Sequence, residues 1–179
     1  MKLKSNIDFL SIEIVGERIL LNPISLNSSN DIYREFTNEI TRYMFPTSPS
    51  NISQIISFIE MSLEGMKNQT DLVLKITDLE SGDFLGVCGI HSKGNPKEPE
   101  LGIWLKKNAH KKHYGREAIS FLVKWAHKNI VLNHLIYPVD RDNIPSIKVA
   151  EFLGGEIIGE STKESMSGTI LNEITYKIT

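Results

Sequence analysis

The stretch most suggestive of chemistry is a basic loop between a candidate strand and a candidate helix. No acid occurs in it before Glu117, and its basic residues are Lys106, Lys107, His110, Lys111, Lys112, His113 and Arg116. A helix N-terminus leaves about four backbone N–H groups unpaired and carries the positive end of the helix dipole. Such N–H groups, together with fixed cations, bind phosphate-bearing anions. The sequence therefore predicts a phosphate or pyrophosphate site here.

A strand and a helix must position this loop. Residues 100–105 alternate, with Leu101, Ile103 and Leu105 on one face, opposite Glu100, Gly102 and Trp104. A helix is predicted from about Lys112 to Asn129, because its apolar residues recur at helical spacing. A further strand follows at 132–139, and a strand–helix–strand unit of this kind predicts two parallel neighbours in the sheet.

The remaining elements extend this unit into one domain spanning residues 1–179. Residues 1–8 are expected to be a loose leader, and Glu98 is expected to share the strand of Glu100. Strands are predicted at 18–23, 71–78, 84–91, 155–161 and 168–178, and helices at about 28–39, 52–66 and 143–153. The fold class is α/β (α+β), with a mixed, mostly antiparallel central sheet flanked by about four helices.

Composition narrows the functional class. The net charge of −2 argues against general nucleic-acid binding, so the basic loop is interpreted as a local ligand site. One cysteine excludes an intrachain disulfide, and no apolar run is long enough to span a membrane. No signal peptide is apparent, which predicts a cytoplasmic protein. His91, His127 and His134 lack metal-ligand spacing, so they are interpreted as structural histidines, and no metal is expected.

The loop and three further segments resemble a known family. His110-Lys111-Lys112-His113-Tyr114-Gly115 takes the place of the pyrophosphate loop Q/R-x-x-G-x-G/A, although only Gly115 fits that pattern. The segments ERILLNPIS, DFLGVCGIHS and DRDNIPSIKVAEFLGGEIIGE stand in the expected order, so the resemblance covers roughly residues 12–165. The chain thus resembles the GNAT superfamily of acyl-CoA-dependent N-acyltransferases, and within it the branch of ribosomal-protein N-terminal acetyltransferases.

The resemblance implies a central sheet with a V-shaped splay and a site for acetyl-CoA. The backbone of Trp104, Leu105 and Lys106 would pair with the pantetheine arm like an added strand. The loop would bind the pyrophosphate, and the later helix would add two contacts. The cofactor-binding residues implied are Trp104, Leu105, Lys106, His110, Lys111, Lys112, His113, Tyr114, Gly115, Arg116, Asn143 and Ser146.

The resemblance also implies catalytic residues. Glu100 lies ten residues before His110, a spacing at which some family members carry the general base; Glu98 is the alternative. Glu100 could equally be an ordinary solvent-facing strand carboxylate. The late-helix tyrosine that many members use to protonate the thiolate is replaced here by Ala150. The thiolate would then either leave unaided, with a proton passing to solvent, or be protonated by Ser146.

The function implied is N-acetylation of a primary amine by acetyl-CoA, through direct general-base-assisted attack. The acceptor is either a protein N-terminal amine or a small-molecule amine. The alternative is a non-catalytic acyl-CoA sensor with the same fold. Phe45, Phe58 and Met61 either line an acceptor pocket or pack in the core. No nucleic acid or membrane is expected as a ligand, and the chain is expected to be a monomer or a homodimer.

Overall fold

The backbone forms one eight-stranded sheet with five α-helices. A computed structural model describes all of residues 1–179. The strands lie in the order β1-β2-β3-β4-β5-β6-β8-β7, and every neighbouring pair is antiparallel except β5 and β6. The strands are β1 Ile14–Val15, β2 Ile19–Pro23, β3 Asp71–Asp78, β4 Phe84–His91, β5 Glu100–Leu105, β6 Leu135–Asp140, β7 Glu156–Glu164 and β8 Ile170–Ile178. The helices are α1 Ser29–Glu35, α2 Asn38–Thr41, α3 Ile52–Lys67, α4 Tyr114–Asn129 and α5 Ile144–Phe152.

Apolar periodicity explains the long elements. Strand β4 is buried from Phe84 to Ile90, as expected for a central strand with both faces covered. Helix α3 is capped by Asn51, whose side chain accepts a hydrogen bond from the Gln54 N–H at 3.3 Å. Helix α4 buries the predicted apolar positions Ala118, Ile119, Leu122, Val123 and Ala126. Each of these elements was predicted from its residue spacing and is confirmed.

Helices cover both faces of the sheet. On one face the Trp104 ring of β5 packs against Phe36, which ends α1, with ring centroids 4.8 Å apart. On the other face the start of α4 lies over β5, where Gly115 approaches Ile103 and Leu105. The two sides of β5 therefore face different helices, and we call them the α1 face and the α4 face.

Two local predictions are wrong. The leader is anchored, because Leu3 bridges Ile130 and the Lys4 N–H donates to the Asn129 carbonyl at 2.8 Å. The helix predicted over 28–39 is divided into α1 and α2 at Phe36, whose ψ of 66° is not helical.

Three boundaries also differ from the predictions. Helix α4 begins at Tyr114 because His113 has a left-handed backbone with φ of 64°. Strand β6 begins at Leu135 rather than near residue 132. Glu98 lies in the turn before β5, where its carboxylate accepts hydrogen bonds from Asn95 and Asn133 at 3.1 and 3.3 Å.

Strands β5 and β6 separate almost at once. Their parallel pairing is limited to the Glu100–Ile136 bridge, in which the Ile136 N–H donates to the Pro99 carbonyl at 3.0 Å. The strands then diverge and leave a V-shaped cleft whose vertex is this bridge. The predicted mixed sheet and its one parallel pair are confirmed. None of the helices is both long enough and apolar enough to cross a bilayer.

The close approach of β4 and β5 gives a test of their register, in which Gly86 lies opposite Leu105. A Cβ at Gly86 would lie 2.1 Å from the Trp104 carbonyl oxygen, so Gly86→Ala forces the two strands apart. We expect the free energy of unfolding to fall by on the order of 3 kcal/mol in urea titrations. The control is Gly159→Ala on β7, where a Cβ meets no atom within 4 Å, and its effect should stay within about 0.5 kcal/mol. Equal effects of the two substitutions would contradict the packing.

Candidate active site

The β5–α4 loop presents a run of unpaired backbone donors. The N–H groups of residues 111–116 make no hydrogen bond within the chain, whereas the His110 N–H donates to the Lys107 carbonyl at 3.1 Å. The first intrahelical bond of α4 is made by the Glu117 N–H, which donates to the His113 carbonyl at 3.2 Å. These free donors lie at the positive end of the α4 dipole. The arrangement fits a diphosphate, which accepts several hydrogen bonds at once.

Two loop residues have a left-handed backbone. Lys111 has φ of 62° and His113 has φ of 64°. His113 stands where the sequence pattern of the resembling family has its first glycine, a residue that adopts left-handed backbone without strain. Histidine is among the residues that adopt this region more often than most. At Gly115 an added Cβ would meet Leu105 at 3.5 Å, an ordinary contact, so this position admits glycine or alanine, as the family pattern does.

Arg18 fastens the loop to the sheet. Its Nε donates to Glu117 Oε2 at 2.9 Å, and its backbone N–H donates to Glu117 Oε1 at 2.7 Å. Its guanidinium also donates to the Lys112 carbonyl at 3.2 Å and lies 4.7 Å from the centre of the Tyr114 ring. The Glu117 side chain is only 9% exposed, so its carboxylate is nearly buried, and Arg18 is the cation that pairs with it. Arg18, the residue just before β2, thereby holds both the loop and the first turn of α4.

Tyr114 is held at its other end by Asp78. The phenol donates to Asp78 Oδ2 at 2.7 Å, and this bond raises the pKa of Tyr114. The pKa of Asp78 falls to about 2, first because the Ser81 N–H donates to its carboxylate and then because the phenol does. The Tyr114 side chain therefore serves to position the helix, and only its backbone N–H is free for a ligand.

The edge of β5 that faces β6 offers unpaired backbone groups. Lys106 donates its N–H to the Leu85 carbonyl at 2.8 Å, and this bond sets the alternation along the antiparallel β4–β5 pair. By that alternation the backbone groups of Trp104 bond to β4, whereas those of Ile103 and Leu105 point toward β6. Beyond the single bridge these groups of Ile103 and Leu105 border the open cleft.

Some backbone groups expected to bind a ligand are occupied within the chain. The Lys106 carbonyl accepts a bond from the Ala109 N–H at 2.9 Å, so both backbone groups of Lys106 are used. His110 Nε2 donates to the Leu105 carbonyl at 3.0 Å, which leaves the Leu105 N–H for the cleft. Of the three residues predicted from the sequence, only Leu105 retains a free group on that edge, and Ile103 was missed. The free backbone groups of Ile103 could have been predicted from the sequence, because successive residues of a strand direct their backbone groups to opposite edges.

A row of polar residues crosses the α1 face near the vertex of the cleft. Asp71 on β3 is the register partner of His91 on β4, and His91 is the partner of Glu100 on β5. Glu100 is 22% exposed in its side chain, and Oε1 accepts a hydrogen bond from Lys93 Nζ at 2.5 Å. The sequence placed Glu100 in the site but not its lysine partner. His91 was interpreted as structural, although two equal strands around a short turn already set it opposite Asp71.

Helix α5 packs beside α4 and against β6, one of the two strands that border the cleft. The Asn143 side chain caps the helix by accepting a weak hydrogen bond from the Ser146 N–H at 3.4 Å. Burial raises the pKa of Tyr137, a β6 residue, and the nearby Ser146 side chain opposes part of that rise. Ala150, one turn further along, is fully buried. The predicted helix start at Asn143 is confirmed, and Tyr137 is a hydroxyl that the sequence analysis did not single out.

Two contacts hold the segment that contains α2 against later parts of the chain. Glu39 of α2 forms an ion pair with Lys107 in the loop that follows β5. Phe45 lies between α2 and α3, and its backbone carbonyl accepts a hydrogen bond from the Met166 N–H at 2.9 Å. The Lys163 ammonium lies 4.6 Å from the centre of the Phe45 ring. The α2–α3 connection therefore touches the β7–β8 turn above the sheet. Phe45 and Met61 are exposed, whereas Phe58 packs on the core.

A basic groove continues from the loop along the outer side of α4. The Arg116 guanidinium lies 5.2 Å from the centre of the Phe152 ring, which belongs to α5. The groove has a volume of about 400 Å³ and is lined by Glu17, Arg18, His113, Arg116, Glu117, Ser120, Phe121, Lys124 and Phe152. Arg18 and Glu117 neutralise each other. The remaining charges are those of Arg116, Lys124 and Glu17, so the net charge of the groove is positive.

Comparison with known proteins agrees with this geometry. The sequence model of the acetyltransferase (GNAT) domain matches residues 18–156. The uncharacterized N-acetyltransferase p20 of Bacillus licheniformis is 29% identical over 143 residues, which span 76% of this chain and 78% of that protein. A domain match over most of the chain defines its class. The chain belongs to the GNAT family and is an acetyltransferase that uses acetyl-CoA.

Solved structures share the fold. The microcin C7 self-immunity acetyltransferase MccE, solved with acetyl-CoA and AMP, superposes with a TM-score of 0.81 at 23% identity, covering 95% of this chain and 97% of that one. A proposed ribosomal-protein-serine acetyltransferase from Vibrio cholerae superposes with a TM-score of 0.79 at 16% identity, covering 94% and 98%. The predicted GNAT-like sheet with its splay is confirmed, with five helices instead of about four.

The Arg18 contacts predict a stability effect larger than that of an ordinary surface ion pair. Arg18→Gln leaves the nearly buried Glu117 carboxylate without its cation, and we expect a loss of about 1–2 kcal/mol in urea unfolding. The matched control is Arg34→Gln, because Arg34 is 62% exposed and pairs with Asp31 and Glu35 on the surface of α1. It should cost about 0.5 kcal/mol or less. If the control costs as much as Arg18→Gln, the fastening role is wrong.

Proposed function

We propose that the chain transfers the acetyl group of acetyl-CoA to a primary amine that approaches on the α1 face. The observation that carries the proposal is the polar row at the vertex of the cleft. Asp71 and Glu100 are carboxylates, and His91 between them is a proton acceptor. Such a row attracts an ammonium group and can remove its proton. The acceptor is either a protein N-terminal amine or a small-molecule amine.

In this proposal the pyrophosphate binds the free N–H groups of residues 111–116. The side chains of Lys111, Lys112 and Arg116 add positive charge, and His110 is held beside them by its bond to Leu105. The groove that contains Arg116 and Phe152 receives the adenosine end of the molecule. A planar base stacks on an aromatic ring, and a guanidinium binds a phosphate group.

The pantetheine arm then lies in the cleft between β5 and β6. It pairs with the free N–H and carbonyl of Ile103 and with the N–H of Leu105, rather than with Trp104 and Lys106. Asn143 and Ser146 contact it from the start of α5. Pairing along this edge brings the thioester toward the Glu100–Ile136 vertex, where the polar row begins.

Direct transfer follows from the nucleophiles on this chain. Cys88 is buried, and burial raises the pKa of its thiol well above the usual value, so it does not serve as a thiolate nucleophile. The amine therefore attacks the thioester carbonyl itself, the C–S bond breaks, and coenzyme A leaves as the thiolate. Ser146, with the Tyr137 hydroxyl behind it, is the proposed proton donor to that thiolate.

Thermal unfolding tests the cofactor part of the proposal. Acetyl-CoA at about one hundred times its Kd should stabilise the protein by about 2.7 kcal/mol, which raises Tm by several degrees. The fragment S-acetylpantetheine, which lacks the diphosphate, should give no shift at the same concentration because the loop N–H groups find no acceptor. A full shift with the fragment would show that the loop does not carry binding.

Turnover with defined amines tests the acceptor part. Peptides with free N-termini, the same peptides with blocked N-termini, and a set of polyamines and aminoglycosides are incubated with acetyl-CoA, and thiol release is measured. We expect release with at least one class of free amine and none with blocked peptides. Binding of acetyl-CoA without release on any amine would favour the non-catalytic sensor.

A further inference from the structure

We propose that His91, held by Asp71, is the general base that takes the proton from the acceptor ammonium. This inference rests on the proposed function and assigns one step of it. It transfers to His91 the role that the sequence analysis assigned to Glu100.

Asp71 fixes the orientation of the imidazole. Asp71 Oδ1 lies 2.7 Å from His91 Nδ1, and Asp71 Oδ2 accepts a hydrogen bond from Thr70 Oγ1 at 2.7 Å. The bond to His91 is the largest cause of a lowered pKa at Asp71, which is therefore ionised at neutral pH. An ionised carboxylate can only accept a hydrogen bond, so Nδ1 carries the proton and donates it to the hydrogen bond with Asp71. In the neutral imidazole the lone pair then resides on Nε2.

The Nε2 atom is free and reaches toward the cleft. It makes no hydrogen bond within the chain, and the His91 side chain is 30% exposed. It lies 3.0 Å from the position that a Cβ of Gly89 would take, and 3.9 Å from the corresponding position at Gly102. The ring therefore lies over Gly89 and Gly102 and not beside Glu100, the register partner of His91. This displacement follows the direction in which β5 and β6 diverge. Two glycines leave the sheet surface open beneath it.

Glu100 is less suited to receive the proton. Its Oε1 already accepts a hydrogen bond from the Lys93 ammonium at 2.5 Å, so only one of its two oxygens is open to a further donor. The remaining oxygen of Glu100 is free to accept a hydrogen bond from the acceptor ammonium. Glu100 therefore contributes to acceptor binding, while His91 carries out the proton transfer.

The step balances without any added reagent. The ammonium gives one proton to His91 Nε2, and the freed lone pair attacks the thioester carbonyl carbon. When the C–S bond breaks, the electron pair leaves with sulfur. The second proton lost from the nitrogen and the proton held by the imidazolium pass to the thiolate and to solvent. The imidazole returns to its starting form.

Steady-state kinetics with an accepted amine separates the two roles. His91→Asn should lower kcat by about 10² or more and leave the KM for acetyl-CoA unchanged. Asp71→Asn should lower kcat in the same direction by less. Glu100→Gln should mainly raise the KM for the amine. His127→Asn is the control, because His127 lies in the last turn of α4. If His91→Asn keeps wild-type kcat while Glu100→Gln loses about 10², Glu100 is the base and the inference is wrong.

The tautomer of His91 gives a second test that needs no acceptor. Nitrogen-15 NMR of the imidazole at pH 9, assigned by its disappearance in His91→Asn, should show a protonated Nδ1 and an unprotonated Nε2. Asp71→Asn, which offers an amide in place of the carboxylate, should change this pattern. A protonated Nε2 in the wild-type protein would overturn the inference, whether or not an acceptor is known.

The two proposals fail separately. If acetyl-CoA produces no thermal shift in the wild-type protein, the proposed function fails. If the wild-type protein binds acetyl-CoA and acetylates an amine, but His91→Asn does so at the same kcat, only the role of His91 fails. Thermal shifts of each variant with acetyl-CoA confirm that it is folded and competent to bind.

Discussion

The early separation of β5 from β6 is the constraint on which the rest of the site depends. A strand inside a sheet uses all of its backbone groups, and an unpaired N–H or carbonyl away from water costs free energy. Here one bridge, Glu100–Ile136, is followed by divergence, so β5 has a free edge in the middle of the molecule. That edge is flanked by helices on both faces and is continuous with the start of α4. In the proposed function, the pantetheine arm of acetyl-CoA satisfies these groups by pairing with β5 like an added strand.

The loop at the end of β5 contains two residues with left-handed backbone, neither of which is glycine. Left-handed backbones at Lys111 and His113 carry a cost of roughly 1–2 kcal/mol each that glycine would avoid. The surrounding contacts hold them in place, because Arg18 fixes the Lys112 carbonyl and Glu117 from β2, and Tyr114 is fixed from β3. In return the Lys111 side chain brings positive charge to the proposed anion site, which glycine cannot do.

Periodicity and turn chemistry were enough to predict the longer sheet strands, the long helices and the position of the β5–α4 loop. They could not predict contacts between distant segments, such as Arg18 with Glu117, which lie 99 positions apart. The break of the first helix at Phe36 was missed because its apolar pattern continues through the break. The pairing of His91 with Asp71 was missed for another reason: each residue was interpreted alone, although the hairpin register already placed them opposite one another.

The alternation of β5 divides the chemistry between two faces. Ile103 and Leu105 turn their side chains to α4 and their backbone groups to the cleft, so they belong to the acetyl-CoA side. Glu100 and Trp104 turn their side chains to the α1 face, with Gly102 between them leaving space for the His91 ring. In the proposed function, the carrier would therefore bring the thioester to the vertex along the edge of the strand, and the amine would approach from above one face. A shift of β5 by one residue would exchange these faces and separate the base from the thioester, so the β4–β5 register is itself a requirement for transfer.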